Sequence, residues 1–240
     1  LLGRGGMGAV YAAVDTRLGH TVALKQLHRA EPQLLPAFER EARLLAGLRH
    51  PALPVVSDYF ADESGRFLVM QYIPGDDLHT ALARRGAPFG VLEVLGWADE
   101  LLDVLAYLHG HSPPIIHRDI KPLNLKLTPR GEIYLLDFGL AKGAAAEQPG
   151  AAAPSVYGYS EHYSPLEQID FRGTDPRSDL YALGATIYHM LAATPPEHSR
   201  RRRRALDDGR PDPLRSLSDL NSAVPGELSQ ILVQTLELDP

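Results

Sequence analysis

The sequence predicts an α+β fold of two lobes, a small β-rich one over residues 1–73 and a larger, mostly helical one over residues 74–240. Three observations predict it. Strand-like runs bracket a single helical pattern in the first seventy residues, Pro74-Gly75 then breaks the chain, and beyond it the apolar spacing is helical with only short strand-like interruptions. Leu1 opens inside a strand-like run and Pro240 directly follows a helical pattern, so the chain reads as truncated at both ends.

Ala9–Val14 and Thr21–Leu27 are strand-like and are joined by a turn at Leu18-Gly19. Pro36–Leu48 carries apolar residues at 38, 42, 45 and 48, which is helical spacing. Phe67–Tyr72 is a short apolar strand. Downstream, helices are expected over Leu92–His109, Asp179–Leu191 and Glu227–Leu238, and strands over Leu125–Leu127 and Ile133–Leu136. Gly143–Pro154, GAAAEQPGAAAP, is of low complexity. Trp97 is expected to pack on its helix and to carry no chemistry.

Composition excludes several classes. A net charge of -6 argues against a nucleic-acid coat, so no nucleic-acid partner is expected. The chain has no cysteine, which removes disulfide scaffolds and thiolate metal sites and fits a reducing, cytoplasmic setting. No apolar run approaches the roughly 20 residues of a membrane span, and no signal peptide is visible. A membrane anchor is therefore expected only outside these residues.

The opening run LLGRGGMGAVY places glycines at 3, 5 and 8. Glycine lets backbone N–H groups approach a phosphate closely. The spacing also suits a dinucleotide fold, but that fold needs a helix directly after the glycines; here AVYAAV, a turn and TVALKQL follow, a hairpin pattern. In TVALK, Ala23 and Lys25 share one strand face. A small Ala23 leaves room for a flat ring, and Lys25 offers a point charge. A lone strand lysine is more often a surface residue; what raises Lys25 is a partner. With Phe38, Ala42 and Leu45 as the buried stripe, Glu41 lies at the stripe's edge and Glu39 well off it, which makes Glu41 the acid able to pair with Lys25.

Between the apolar runs of IIHRDIKPLNLKL, residues 115–127, lie a base, an acid, a second base and an amide. With GRGGMGAV, VALK, FEREA, DFG, SPLEQ and SDLYALG in order along the chain, this run resembles the eukaryotic-like (Hanks-type) serine/threonine protein kinases of bacteria. The resemblance covers nearly the whole chain. It implies a protein-kinase-like fold, ATP and Mg2+ as cofactors, and proteins with Ser or Thr hydroxyls as substrates. It also implies roles by position. Asp119 orients the acceptor hydroxyl, Lys121 neutralises the transferred phosphate, Lys25 and Glu41 position the phosphates, and Asn124 and Asp137 bind the metal. Gly3, Gly5, Gly8, Val10 and Ala23 are expected around the nucleotide. The hinge is expected at Gln71-Tyr72-Ile73, with Met70 at its mouth, its backbone bonding the adenine edge. Asp77 suits the ribose hydroxyls, or equally the N-terminus of a helix. The chemistry agrees with these roles, because phosphoryl transfer needs alignment, held metal and neutralised charge more than covalent help. Hard oxygen ligands suit magnesium.

The chain departs from the family in places. Lys126 stands where the family usually puts an apolar side chain beneath the adenine. It shares a strand face with Asn124, so it should point to the cleft with its stem under the base and its ammonium outward, weakening or altering adenine binding. The usual A-P-E run reads Ser164-Pro165-Leu166-Glu167. The arginine that the family pairs with this acid would lie past Pro240, so Glu167 is expected unpaired. No threonine lies between Asp137 and Glu167. Ser155, with Tyr157 behind it, is the best-placed phosphoacceptor for Arg118 to meet; Glu161 supplying the charge is the alternative. Ser160 is expected to fill the hydroxyl place beside Asp119 and Lys121. Asp179 should hold the catalytic loop through backbone N–H bonds, and Arg200–Arg204 should form a solvated helix face or loop. Two rivals remain: a pseudokinase-type binding module, which would lack the lysine or one of the aspartates, and a small-molecule kinase of related fold, which would lack the long loop and SPLEQ.

Overall fold

The structure, a computed structural model, describes residues 1–5, 8–27, 35–63, 65–138 and 160–240, and only the backbone of Pro36, Ala37 and Glu41. Strands β1 (Gly3–Gly5), β2 (Gly8–Val14), β3 (Thr21–Leu27), β4 (Val56–Asp62) and β5 (Gly65–Gln71) form an antiparallel sheet in the order β1-β2-β3-β5-β4. The β2–β3 hairpin turns because the Asp15 carboxylate accepts from the Arg17 and Leu18 amides at 2.8 and 3.1 Å, while Gly19 N–H bonds back to the Asp15 carbonyl. Register places Lys25 opposite Val10 on one side and Leu68 on the other, in the middle of the sheet. At Gly8 a Cβ would sit 1.8 Å from the Gln26 carbonyl oxygen, so this glycine is required by the approach of β2 to β3.

Helix α1 (Leu35–Gly47) buries the expected stripe, Phe38, Ala42 and Leu45, with Leu48 beyond its end. It packs against β4, where Phe38 and Tyr59 meet at a ring-centroid distance of 6.1 Å. Strand β4 is absent from the sequence reading for a physical reason. It is an edge strand whose side chains are mostly exposed, so it carries little apolar alternation.

After the break, β6 (Asp76–Asp77) pairs with β7 (Leu125–Leu127), which pairs with β8 (Ile133–Leu135). Gly75, at φ 104, lets these strands close up, since a Cβ there would meet the Leu127 carbonyl oxygen at 2.0 Å. Helix α2 (Leu78–Arg85) follows at once, capped by Asp77. Helix α3 (Val91–His109) buries Val94, Trp97, Ala98, Leu101, Val104, Leu105 and Leu108, a helical stripe, and Trp97 meets Phe89 edge-on at 5.0 Å.

Helix α3 packs on α5 (Pro176–Ala192), which is buried on nearly all sides. Helix α5 starts three residues before the expected Asp179 because Asp175 and Ser178 form a capping box around Pro176. The short helices α4 (Leu166–Ile169) and α7 (Leu217–Leu220), with α8 (Gly226–Thr235), complete the helical region, and α7 and α8 also pack on α5. One continuous apolar core runs from Leu27 and Phe38 through Leu105 and Ile120 to Leu191 and Leu236. No helix among the described residues is long and apolar enough to cross a membrane.

The five-arginine run forms helix α6 (Ser199–Asp207), a solvated helix face at Arg200, Arg201 and Arg204, which are exposed, with Arg202 as the buried exception. Arg200 pairs with Asp170 at 2.9 Å, Arg201 with Glu197 at 3.4 Å, and Arg203 with Asp239. Arg202 is 3% exposed, forks onto Asp212 at 2.7–3.2 Å and donates to the Leu236 carbonyl at 2.6 Å. Only the Arg201–Glu197 pair is local, at (i, i+4) spacing; the partners of Arg200, Arg202 and Arg203 lie in other segments, which the sequence does not connect to the run.

Candidate active site

The loop from His117 to Asn124 is fixed from below by Asp179, whose carboxylate has no exposed surface. Its oxygens accept from the His117 and Arg118 amides at 2.9 Å each and meet His109 Nε2 at 2.9 Å. These bonds hold Arg118 at φ 67, a strained conformation for a non-glycine residue. Gln168 Nε2 donates to the Arg118 carbonyl at 2.8 Å, and Arg118 Nε donates to Thr174 Oγ1 at 2.7 Å. His117 is wholly buried, and desolvation holds its pKa below the usual value. Its Nδ1 accepts from the Asp119 amide at 3.3 Å, so Nε2 carries the proton and donates to the Leu136 carbonyl at 3.2 Å. Gln168 closes the SPLEQ run but had no role assigned from the sequence, and no local pattern marks Thr174.

On this support four side chains converge. Lys121 Nζ meets Asp119 Oδ1 and Oδ2 at 3.0 and 2.9 Å and Ser160 Oγ at 3.0 Å. Ser160 Oγ donates to Asp119 Oδ1 at 3.1 Å. Asn124 Nδ2 donates to the Asp119 carbonyl at 2.7 Å and to Oδ2 at 3.0 Å. Asn124 is 7% exposed, and with its amide nitrogen engaged this way its Oδ1 is the atom that remains to coordinate.

The sheet supplies the opposite wall. Lys25, 7% exposed on β3, meets Asp137 Oδ1 at 3.1 Å across 112 residues of sequence. Asp137 follows β8, has φ 51, and keeps 45% of its side chain exposed. The Leu136 amide donates to the Asn124 carbonyl at 2.8 Å, which ties the chain just before Asp137 to Asn124. Phe138 is buried against His117, with ring centroids 4.5 Å apart. A metal fits here: a half-exposed carboxylate and a free amide oxygen are hard donors of the kind magnesium shares with phosphate oxygens. The Glu41 side chain lies outside the described residues, so its pairing with Lys25 does too. So do Ser155, Tyr157 and residues 6 and 7 of the glycine run.

At the nucleotide end, Ala23 is registered opposite Met70 and is buried, while Gly5 is opposite Gly8 and Gly3 opposite Val10. Gln71 ends β5; its amide donates to the Val55 carbonyl at 2.8 Å and its Oε1 accepts from the Val55 amide at 3.3 Å. Ile73 is buried. Asp77 caps α2: its two oxygens accept from Thr80 N at 2.8 Å and Thr80 Oγ1 at 2.9 Å. Lys126 is registered opposite Asp77, yet its ammonium turns to the Tyr72 ring, 6.0 Å from the centroid.

Below the loop, Glu167 is not unpaired. Ser178 Oγ donates to its Oε1 at 2.7 Å while accepting from the Asp175 amide at 3.3 Å, so the capping-box hydroxyl serves both. Tyr163 Oη meets His189 Nδ1 at 2.7 Å; burial pushes the Tyr163 phenol up and brings His189 down to about 4.

The protein kinase domain profile matches residues 1–240. A probable serine/threonine-protein kinase of Streptomyces coelicolor, SCO3848, is 38% identical over 207 residues, covering 82% of the chain and 30% of that protein. The serine/threonine-protein kinase PknA of Mycobacterium tuberculosis is 34% identical over 206 residues, covering 82% of the chain and 46% of that protein. The chain thus spans less than half the length of either relative. Among solved structures, the PknI kinase domain of Mycobacterium tuberculosis superposes with a TM-score of 0.73 at 28% identity, covering the whole chain and 86% of that one. The apo form of PpkA-294 matches in fold, with a TM-score of 0.79 at 23% identity over 98% of the chain and 87% of that one.

Proposed function

Because the chain belongs to the protein kinase domain family, we propose that it transfers the γ-phosphate of ATP to serine or threonine hydroxyls of proteins, with the residues of the loop 117–124 and Asp137 as its machinery. The observation that carries this reading is the convergence of Lys25 with Asp137 at 3.1 Å and of Lys121, Ser160 and Asn124 on Asp119.

The acceptor hydroxyl hydrogen-bonds to the Asp119 carboxylate. Its oxygen forms a bond to the γ-phosphorus as the bond from that phosphorus to the β-bridging oxygen breaks. ADP leaves, and the hydroxyl proton passes to Asp119 and then to water. Lys121, already in contact with Asp119 and Ser160, neutralises charge on the transferred group. Lys25, from the sheet, does so for the remaining phosphates, with Glu41 as its second acid. Magnesium, when bound, would draw off negative charge from the phosphate oxygens, and Asn124 Oδ1 with Asp137 would hold it. Gly3, Gly5, Gly8, Val10, Ala23, Met70, Gln71 and Ile73 enclose the nucleotide. Asp77 reaches the ribose through lone pairs its Thr80 bonds leave over, and the Lys126 stem floors the base. The boundary between the lobes falls at residues 73–74, and the reading places the domain in the ATP-containing cytoplasm.

Radiolabelled ATP with a generic protein acceptor and, separately, aminated sugars tests this. Transfer to protein serine or threonine is expected, reduced about 100- to 10,000-fold in Asp119→Asn. Transfer to the sugars alone, or nucleotide binding with no transfer, would overturn it.

A further inference from the structure

Gln168 lies outside the loop it serves. It sits half-buried on α4 between Leu166 and Ile169, which are buried and fix the short helix in place. Glu167 beside it is bound by Ser178 Oγ at 2.7 Å, which ties α4 to the start of α5. From that base Gln168 Nε2 donates to the Arg118 carbonyl at 2.8 Å. A carbonyl only accepts, so the amide nitrogen of Gln168, and not its oxygen, faces it.

That carbonyl belongs to the peptide that joins Arg118 to Asp119. The N–H of the same peptide donates to Nδ1 of the wholly buried His117 at 3.3 Å. Arg118, at φ 67, stands in a backbone region that few side chains favour, so this peptide is where the loop would turn over if it were released. Asp179 holds the preceding peptide through the Arg118 amide at 2.9 Å. Gln168 holds the carbonyl of the next one. Turning that carbonyl away would draw the Asp119 N–H off His117 and swing the carboxylate away from Lys121 and Ser160.

The same run of chain also reaches the carboxylate itself. Ser160 Oγ donates to Asp119 Oδ1 at 3.1 Å, and the Ser160 carbonyl accepts from the Tyr163 and Ser164 amides at 2.9 and 3.1 Å. Ser164 Oγ lies 3.5 Å from Gln168 Nε2, and the Ile169 amide donates to the Pro165 carbonyl at 3.2 Å. Residues 160–169 thus act as a bracket that touches Asp119 twice, on the side chain through Ser160 and on the backbone through Gln168.

We propose that Gln168 is a positioning residue, which aims the Asp119 carboxylate at the acceptor hydroxyl by fixing the peptide between Arg118 and Asp119. This deepens the kinase reading and rests on it. Because Gln168 acts through Asp119, its loss matters only where that carboxylate is present. A misplacement of this kind corresponds to about a 10- to 100-fold loss in the rate of transfer.

The test is the single-turnover rate of phosphate transfer from radiolabelled ATP to a serine peptide, with a nucleotide titration and a thermal melt on each protein. Gln168→Met keeps the length and removes the donor; Gln168→His keeps a ring N–H. Both are made with Asp119 intact and with Asp119→Asn. Gln168→Met should slow transfer about 10- to 100-fold, with ATP affinity within about twofold and a melting point within about 4 °C of the original. Gln168→His should recover most of that loss, and in the Asp119→Asn background Gln168→Met should cost less than about twofold. Gln168→Glu, of the same shape and also without the donor, carries the same expectation if Gln168→Met melts below the assay temperature. Asp119-dependent transfer that Gln168→Met leaves within about twofold, or an equal fall in both backgrounds, would overturn this inference alone. Absence of Asp119-dependent transfer in the unmodified protein would overturn the kinase reading together with it.

Discussion

Replacing Asp179 with asparagine changes one atom and should both loosen the catalytic loop and lower stability. In the native chain one oxygen accepts from Arg118 N at 2.9 Å, and the other accepts from His117 N and meets His109 Nε2, each at 2.9 Å. An asparagine has one acceptor and one NH2 group. If its oxygen keeps the His117 and His109 contacts, its NH2 faces the Arg118 N–H, donor against donor, at a site with no exposed surface. One buried orphan donor costs about 1–3 kcal/mol, and bonds to a charged acceptor are roughly twice as strong as neutral ones, so the sum is about 2–4 kcal/mol. For a chain of this length each kcal/mol moves the melting temperature by about 2–4 °C, which gives a fall of about 5–15 °C. Arg118, held at φ 67 by this carboxylate, should relax, and Asp119 with it, so kcat should fall more than KM for ATP rises. Thermal melts and steady-state kinetics on the same preparation read both. A melting point within 2 °C of the original, with kcat intact, would refute the reasoning that this carboxylate holds the loop.

Lys126→Leu should lower KM for ATP several-fold without changing kcat, because an apolar floor replaces a stem whose ammonium now rests on Tyr72; an unchanged KM in a nucleotide titration counts against it. Arg202→Ala should destabilise by about 2–4 kcal/mol, somewhat under the figure for a wholly buried pair because Asp212 keeps 32% of its side chain exposed, as measured by urea unfolding. His189 binds its proton less readily folded, at about 4, than its ordinary 6.5. Stability from this group is therefore complete above about 6.5 and is lost as pH falls toward about 4, by on the order of 3 kcal/mol. Urea titrations at pH 7, 5.5 and 4.5 should show this acid sensitivity reduced in His189→Gln.

What the sequence disclosed followed from pattern strength. The stripe of Phe38, Ala42 and Leu45 and the β2–β3 hairpin obey simple periods, and the structure buries and pairs them accordingly. Strand β4 escaped notice because an exposed edge strand needs no apolar alternation, and helix α2 was legible only as the alternative role of its cap, Asp77, because eight residues are too few to display a helical period. Side-chain pairs far apart in sequence were legible only where the resemblance supplied them, as for Lys25, Asp119, Lys121, Asn124 and Asp137. The Tyr163–His189 bond and the tethers of Arg200, Arg202 and Arg203 have no local signature. Glu167 was misjudged because its partner is a serine already engaged in a helix cap.

Gly8 has a practical bearing on mutagenesis. Any side chain there collides with the backbone of the neighbouring strand, so a Gly8→Ala protein would part the hairpin that carries Lys25 and lose nucleotide affinity for reasons unrelated to phosphate. Gly3, with open space where its side chain would be, is the glycine at which an alanine probes the loop without disturbing the strands beneath.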